Sequence, residues 1–175
     1  MPGARAVDGT CGNGHDTLFL CRALGDGQRV LGVDLQAEAI DATARRLADE
    51  GFAARLVRGD HADFDRLLAA TGFDRIDAAI LNLGYLPGGD RGIRTSPAPT
   101  VAALEAITAR AGPSFRLAAV AYRGHPGGRE EAEAVARFAE RKEREGFERT
   151  RLESGDPGRA PVFFGLARRT EELRP

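Results

Sequence analysis

The sequence has no tryptophan, one methionine, two cysteines, a single lysine (Lys142) and no long apolar run. Each shortage removes a class of protein. Cys11 and Cys21 are too few and too close for a disulfide framework, and no histidine or second cysteine pair stands at zinc-ligand spacing, so no metal is assigned. Apolar runs such as residues 18–21 fall far short of a membrane span, and the opening Met1-Pro2-Gly3 does not read as a signal peptide. The expectation is a soluble, cytoplasmic protein with no membrane partner.

What is present suffices for an ordinary core. A chain of 175 residues, 42% hydrophobic and without a low-complexity linker, reads as one domain spanning 1–175. At this size about 70% of the unfolded surface is buried on folding. The 25 basic and 26 acidic residues give a net charge of -1, which lacks the basic excess of a dedicated nucleic-acid module. Any anionic partner must therefore meet a local patch. With one lysine, 24 of the bases are arginine, whose planar fork suits phosphate and base edges, although a GC-biased genome leaves the same bias.

Short Val, Ile, Leu and Ala runs alternate with helical patterns along the chain, the signature of a parallel α/β sheet. Strands are expected over residues 5–7, 29–34, 54–57, 76–82 and 116–122, and helices over 15–24, 37–50, 62–71, 99–110 and 129–145. Ala78-Ala79-Ile80-Leu81 and Leu117-Ala118-Ala119-Val120-Ala121 are continuous apolar runs, as strands covered on both faces require. Residues 147–153 and 161–168 form a strand–turn–strand without a helix between, so the last strand should run antiparallel at or near the sheet edge.

The first strand leads through Asp8-Gly9-Thr10-Cys11-Gly12-Asn13-Gly14-His15-Asp16-Thr17 into a helix. Such a turn brings backbone close to a ligand at a helix N-terminus. Its glycines fall as G-x-x-G-x-G rather than the dinucleotide order G-x-G-x-x-G, and Asp8 would repel a pyrophosphate. The same acid suits a ligand bearing an ammonium and a sulfonium, such as S-adenosylmethionine. Asp34 follows the last loop glycine by about 20 residues, where a ribose diol is held, and Asp60 ends the third strand within reach of an adenine amino group. Three carboxylates at successive strand ends define a crevice. The candidate cofactor contacts are Asp8, Thr10, Gly12, Asn13, Gly14, Asp16, Thr17, Asp34, Gln36, Asp60, His61 and Asn82.

The fourth strand ends in Asn82-Leu83-Gly84-Tyr85-Leu86-Pro87-Gly88-Gly89-Asp90, and the fifth in Tyr122-Arg123-Gly124-His125-Pro126-Gly127-Gly128-Arg129. Asn82 beside the crevice can accept a hydrogen bond from an amine and orient its lone pair, while Tyr85 can stack on a flat base. The order resembles the N-P-P-Y motif of methyltransferases that act on exocyclic amines, with Leu-Gly in place of Pro-Pro.

Together, Asp8 to Thr17, Asn82 to Asp90 and Tyr122 to Gly128 resemble the rRNA-methylase family of class I methyltransferases, over essentially the whole chain. Members of that family have been assigned as tRNA 5-aminomethyl-2-thiouridine methyltransferases acting on the wobble uridine. The resemblance implies a Rossmann-like class I fold: a mostly parallel seven-stranded sheet, helices on both faces, an antiparallel last strand, and S-adenosylmethionine as donor. It carries the family's first acid to Asp8, its loop glycines to Gly12 and Gly14, its ribose acid to Asp34, and its strand-four motif to Asn82, Tyr85 and Asp90. Two departures stand out. The chain opens almost at its first strand, without the helix that precedes it in most class I enzymes, so cofactor shielding or a dimer contact is incomplete or supplied otherwise. Gly9 stands where Ala is more usual, a change expected to be minor.

Methyl transfer to an amine requires positioning and removal of a proton. Asn82 is the candidate orienter, Tyr85 the stacking platform, and Asp90 and His125 the candidate proton acceptors. Arg91, Arg94, Arg123 and Arg129 would ring the mouth and meet RNA phosphate. The reading is an RNA methyltransferase on tRNA wobble uridine, or on rRNA, with a homodimer allowed. A methyltransferase of a small amine metabolite, a non-catalytic RNA or protein platform and a nicotinamide enzyme are the alternatives, the last opposed by Asp8 and the glycine order.

Overall fold

The computed structural model describes residues 3–90, 92–153, 155–156 and 160–169. Among the described residues, seven strands and five helices follow in the order β1 (Ala6–Asp8), α1 (His15–Leu24), β2 (Val30–Asp34), α2 (Ala37–Asp49), β3 (Arg55–Arg58), α3 (Phe64–Thr71), β4 (Ile76–Leu83), α4 (Pro97–Ala109), β5 (Ala111–Ala121), α5 (Gly128–Arg144), β6 (Phe147–Glu153) and β7 (Val162–Arg168). Short 3₁₀ turns at Gly27–Arg29 and His61–Asp63 lead into β2 and α3. The sheet order is β3-β2-β1-β4-β5-β7-β6. The first five strands are parallel, and β7 pairs antiparallel with both β5 and β6, so β6 forms the edge and β7 the strand beside it.

The period of two along the strands decides which helix covers which face. Ala6, Val30, Ala78 and Ile80 turn to the side of α1 and α2, where Leu18, Cys21 and Leu47 complete a small cluster. Val7, Leu31, Leu81 and Leu83 turn the other way, into the main core with Phe64 of α3, Leu104 and Ile107 of α4 and Val135 and Phe138 of α5. The switch from β1 to β4 at the centre opens a crevice at the carboxyl ends of the strands, where parallel α/β sheets bind ligands.

Most element starts fall within a residue of expectation; α3 begins two residues later, at Phe64 after a 3₁₀ turn, and two others begin earlier. β5 begins at Ala111 rather than 116, because the Gly112-Pro113 pair that reads as a breaker sits in an irregular stretch: Ala111 pairs with Ile76, and the register then shifts before Arg116 meets Ala78. α4 begins at Pro97 rather than 99, with its prolines in the first turn, where a missing amide costs nothing. No helix among the described residues is long and apolar enough to cross a membrane.

Candidate active site

The loop after β1 is shaped by its glycines. Gly14 caps α1 with φ 81°, and a Cβ there would lie 2.8 Å from the Thr43 Cα, so both conformation and space exclude a side chain. Gly9 also matters more than expected: a Cβ on it would press to 2.9 Å on Leu81, which occupies the room an alanine would need.

Asp8 lies behind this loop. It is fully buried, accepts the Thr17 hydroxyl at 2.6 Å and the Thr10 amide at 3.2 Å, and burial raises its pKa from 3.8 to about 7. Neither Asp8 nor Thr17 lines the adjoining cavity, so their charge and hydrogen bonds act from behind the loop. Burial likewise pushes the Cys11 thiol well above its ordinary range, with the nearby Asp8 and Asp34 charges adding to the effect.

The cavity itself has a volume of about 870 Å³ and opens along the carboxyl ends of β1, β2, β3, β4 and β5. Thr10, Gly12, Asp16, Asp34, Gln36, Asp60 and His61 line one part of it. Asp34 accepts the amides of Gly12 at 2.9 Å and Gln36 at 3.0 Å, tying the loop to the end of β2. Asp60 caps its 3₁₀ turn through the Ala62 amide at 2.8 Å, and His61 places Nε2 2.7 Å from the Gly9 carbonyl. Asn13 and Gly14 belong to the loop but not to the lining.

Asn82, Tyr85 and His125 line the other part. The Asn82 backbone amide donates to the Thr10 hydroxyl at 2.6 Å, and its side-chain Nδ2 donates to Asp16 at 2.5 Å. Because a carboxylate only accepts, Asp16 fixes which way the Asn82 amide faces and leaves Oδ1 as an acceptor. His125 stands edge-on to Tyr85, ring centroids 6.0 Å apart. Its Nδ1 lies 3.1 Å from the Pro126 carbonyl, which requires the proton on that nitrogen, and the buried Nε2 has no hydrogen-bond partner among the described residues.

Residues 30–166 match the family described as "Putative rRNA methylase". The chain belongs to this family. It is 35% identical over 146 residues to the chloroplastic tRNA (mnm(5)s(2)U34)-methyltransferase of Arabidopsis thaliana, covering 78% of this chain and 53% of that protein. The chain thus spans about half the length of that curated relative. Its fold is similar to a crystal structure described as a putative rRNA-methylase from Clostridium thermocellum, with TM-score 0.83 and 31% identity over 94% of this chain and 88% of the other. It is also similar to a crystal structure described as a putative methyltransferase from Streptococcus mutans in complex with SAH, with TM-score 0.81 and 28% identity over the same shares.

The remaining expected residues of this rRNA-methylase family member are dispersed. Asp90 is exposed, outside the lining, and caps its own turn through the Gly92 amide at 2.7 Å. Arg94 lines the cavity, whereas Arg129 is exposed beyond it. Arg123 is turned to the β6–β7 hairpin, where it donates to Ala160 O at 2.7 Å and pairs with Glu153. Arg91 lies outside the described residues. Lining residues outside the motifs include Leu35, Ile93 and Thr95, and Tyr122, which opens the strand-five motif, lines the cavity although no role was expected of it. Leu35, Ile93 and Tyr122 are also exposed large apolar side chains, and an apolar residue at a strand end was the signal available for Leu35 and Tyr122. Among the described residues no cluster of His, Cys, Asp and Glu could hold a metal ion.

Proposed function

We propose that the chain is an S-adenosylmethionine-dependent RNA methyltransferase that N-methylates the 5-aminomethyl group of (2-thio)uridine at the tRNA wobble position. The observation that carries this reading is Asn82, a cavity-lining amide whose orientation is set by Asp16 and whose oxygen is left to accept from an amine. The name of the Arabidopsis relative and the SAH carried by the Streptococcus structure support it.

The residues fit the donor. Asp34 and Asp60 offer acceptors for a ribose and an amino group, Leu35 offers an apolar wall for a flat base, and the volume of about 870 Å³ is within the range of cofactor clefts. When bound, S-adenosylmethionine supplies a methyl group on a cationic sulfur. The protein then positions, excludes water and moves one proton. Asn82 Oδ1 accepts an N–H of the substrate amine and directs its lone pair. Tyr85 provides the face on which a uracil ring stacks. His125 accepts the proton the nitrogen must lose, since its Nε2, though buried, has no hydrogen-bond partner among the described residues. Asp90, engaged in its turn, is the less suited of the two acceptors named by the sequence.

Nucleoside mass spectrometry of bulk tRNA, with and without the protein and S-adenosylmethionine, tests the reading. It predicts conversion of the aminomethyl to the methylaminomethyl nucleoside. Methylation confined to rRNA, or to a free amine, would replace it.

A further inference from the structure

The segment between β4 and α4, described over residues 84–90 and 92–95, supplies much of the cavity wall beside Asn82. Its ends are closed on each other: Tyr85 and Arg94 form an antiparallel bridge, and the Thr95 amide donates to Gly84 O at 2.8 Å. Closure alone makes a loop. It does not say where the loop points.

Glu131, in the first turn of α5, supplies that direction. It is 1% exposed, and its two oxygens accept from different segments, Oε2 from the Thr95 hydroxyl at 2.8 Å and Oε1 from the Thr100 hydroxyl at 2.6 Å. Among the described residues Glu131 makes no ion pair, so its buried charge rests on these hydroxyls and on the positive end of α5. A buried carboxylate is a costly way to fill space, and an apolar side chain would pack α5 on α4 as well. Charge-assisted hydrogen bonds, about twice as strong as neutral ones, instead fasten the loop base and the first turn of α4 to one point on α5. The same end of α5 follows directly on His125, with Gly128 so close to the chain that a Cβ on it would lie 2.4 Å from Tyr122 O and 3.0 Å from His125 Nε2.

We propose that Glu131 is a positioning residue that sets the substrate wall, Tyr85 and Ile93 included, against His125; for the identity of the substrate this rests on the RNA methyltransferase reading above. Glu131 touches neither donor nor acceptor and acts through Thr95.

Two readouts test it. In hydrogen exchange followed by mass spectrometry, Glu131→Ala should speed exchange over 84–95 by about tenfold, as expected for losing a hydrogen bond to a charged group, and Glu131→Gln, which keeps one acceptor oxygen and the shape, should restore most of the protection. In steady-state methylation of tRNA, Glu131→Ala should raise KM for RNA by about tenfold while the S-adenosylmethionine Kd from calorimetry stays within about twofold. Thr95→Val, a change at a half-buried position, removes the bond to Glu131 together with the hydroxyl's long 3.5 Å contact to Gly84 O, keeps the Thr100 bond, and should reproduce both effects even where Glu131→Ala does not fold. Unchanged exchange and KM in Thr95→Val, or Glu131→Gln faring no better than Glu131→Ala, would overturn the proposal. If wild type methylates no tRNA, the proposed reaction falls, while the exchange readout still judges Glu131.

Discussion

Asp8 sets up a pH dependence of stability that can be worked from the structure. Its carboxyl titrates at 3.8 in the unfolded chain and at about 7 in the fold, chiefly because burial strips its water, with the hydrogen bonds from Thr17 and Thr10 offsetting only part of that cost. Between those values the folded protein keeps a proton that the unfolded chain has released. Raising the pH therefore favours unfolding, and this contribution to stability, complete below about pH 4, is lost as the pH climbs to about 7. At about 1.4 kcal/mol per pKa unit, a gap of about three units corresponds to about 4 kcal/mol in all, of which about 3 kcal/mol falls between about pH 5 and about pH 8. Asp8→Asn isolates the effect, because the amide oxygen still accepts from Thr10 and the amide nitrogen can donate to the Thr17 hydroxyl. Urea unfolding of wild type and Asp8→Asn across that interval should show the wild-type stability falling relative to the variant by about 3 kcal/mol. Parallel curves for the two proteins would refute the argument that burial raises the Asp8 carboxyl to about 7.

Other consequences can be measured directly. Asn82→Ala should lower single-turnover methylation by about a hundredfold and Asp16→Ala by about tenfold, each with S-adenosylmethionine still bound; wild-type rates in both would remove Asn82 as orienter. Gly14→Ala should destabilise by about 3 kcal/mol in thermal or urea unfolding, since φ of 81° and the 2.8 Å approach to Thr43 add, whereas Gly25→Ala, at φ 65° with open space around it, should cost only about 1 kcal/mol. Arg94→Ala should reduce the salt slope of tRNA binding by about one, while Arg123→Ala should leave that slope unchanged and lower the melting temperature instead, because its guanidinium, with 11% side-chain exposure, holds the β6–β7 hairpin.

The fold was readable where local signals agree with the tertiary answer. α1 spans His15–Leu24 and β6 spans Phe147–Glu153, the bounds the pattern predicts, because a glycine loop and a charged helix end punctuate them. β5 was read short because Gly112 and Pro113 break a regular strand, and only the bulged register against β4 shows how they are accommodated. The crevice was likewise legible from carboxylates at strand ends, and Asp34, Asp60 and Asn82 do line one cavity. Depth was not. Sequence places Asp8 and Asp34 at equivalent strand ends, yet one sinks behind the loop and the other faces the cavity, a difference set by the packing of Thr17 beneath the first turn of α1. Charge pairing was equally hidden: Arg123 belongs to the arginine patch expected at the mouth, yet a hairpin acid thirty residues on pairs with it.

The hydrogen bonds around Thr10 join two motifs that the sequence separates by 72 residues. Asp8 accepts the Thr10 amide, the Thr10 hydroxyl accepts the Asn82 amide, and the Asn82 side chain returns to Asp16 in the first turn of α1. The loop that would face the donor and the asparagine that would face the acceptor are therefore one network. Ordering the loop and orienting Asn82 become the same event. That coupling gives a physical reason for a carboxylate at Asp8 even though it does not line the crevice: its charge costs stability above neutral pH, and it holds in register the Thr10 on which Asn82 depends.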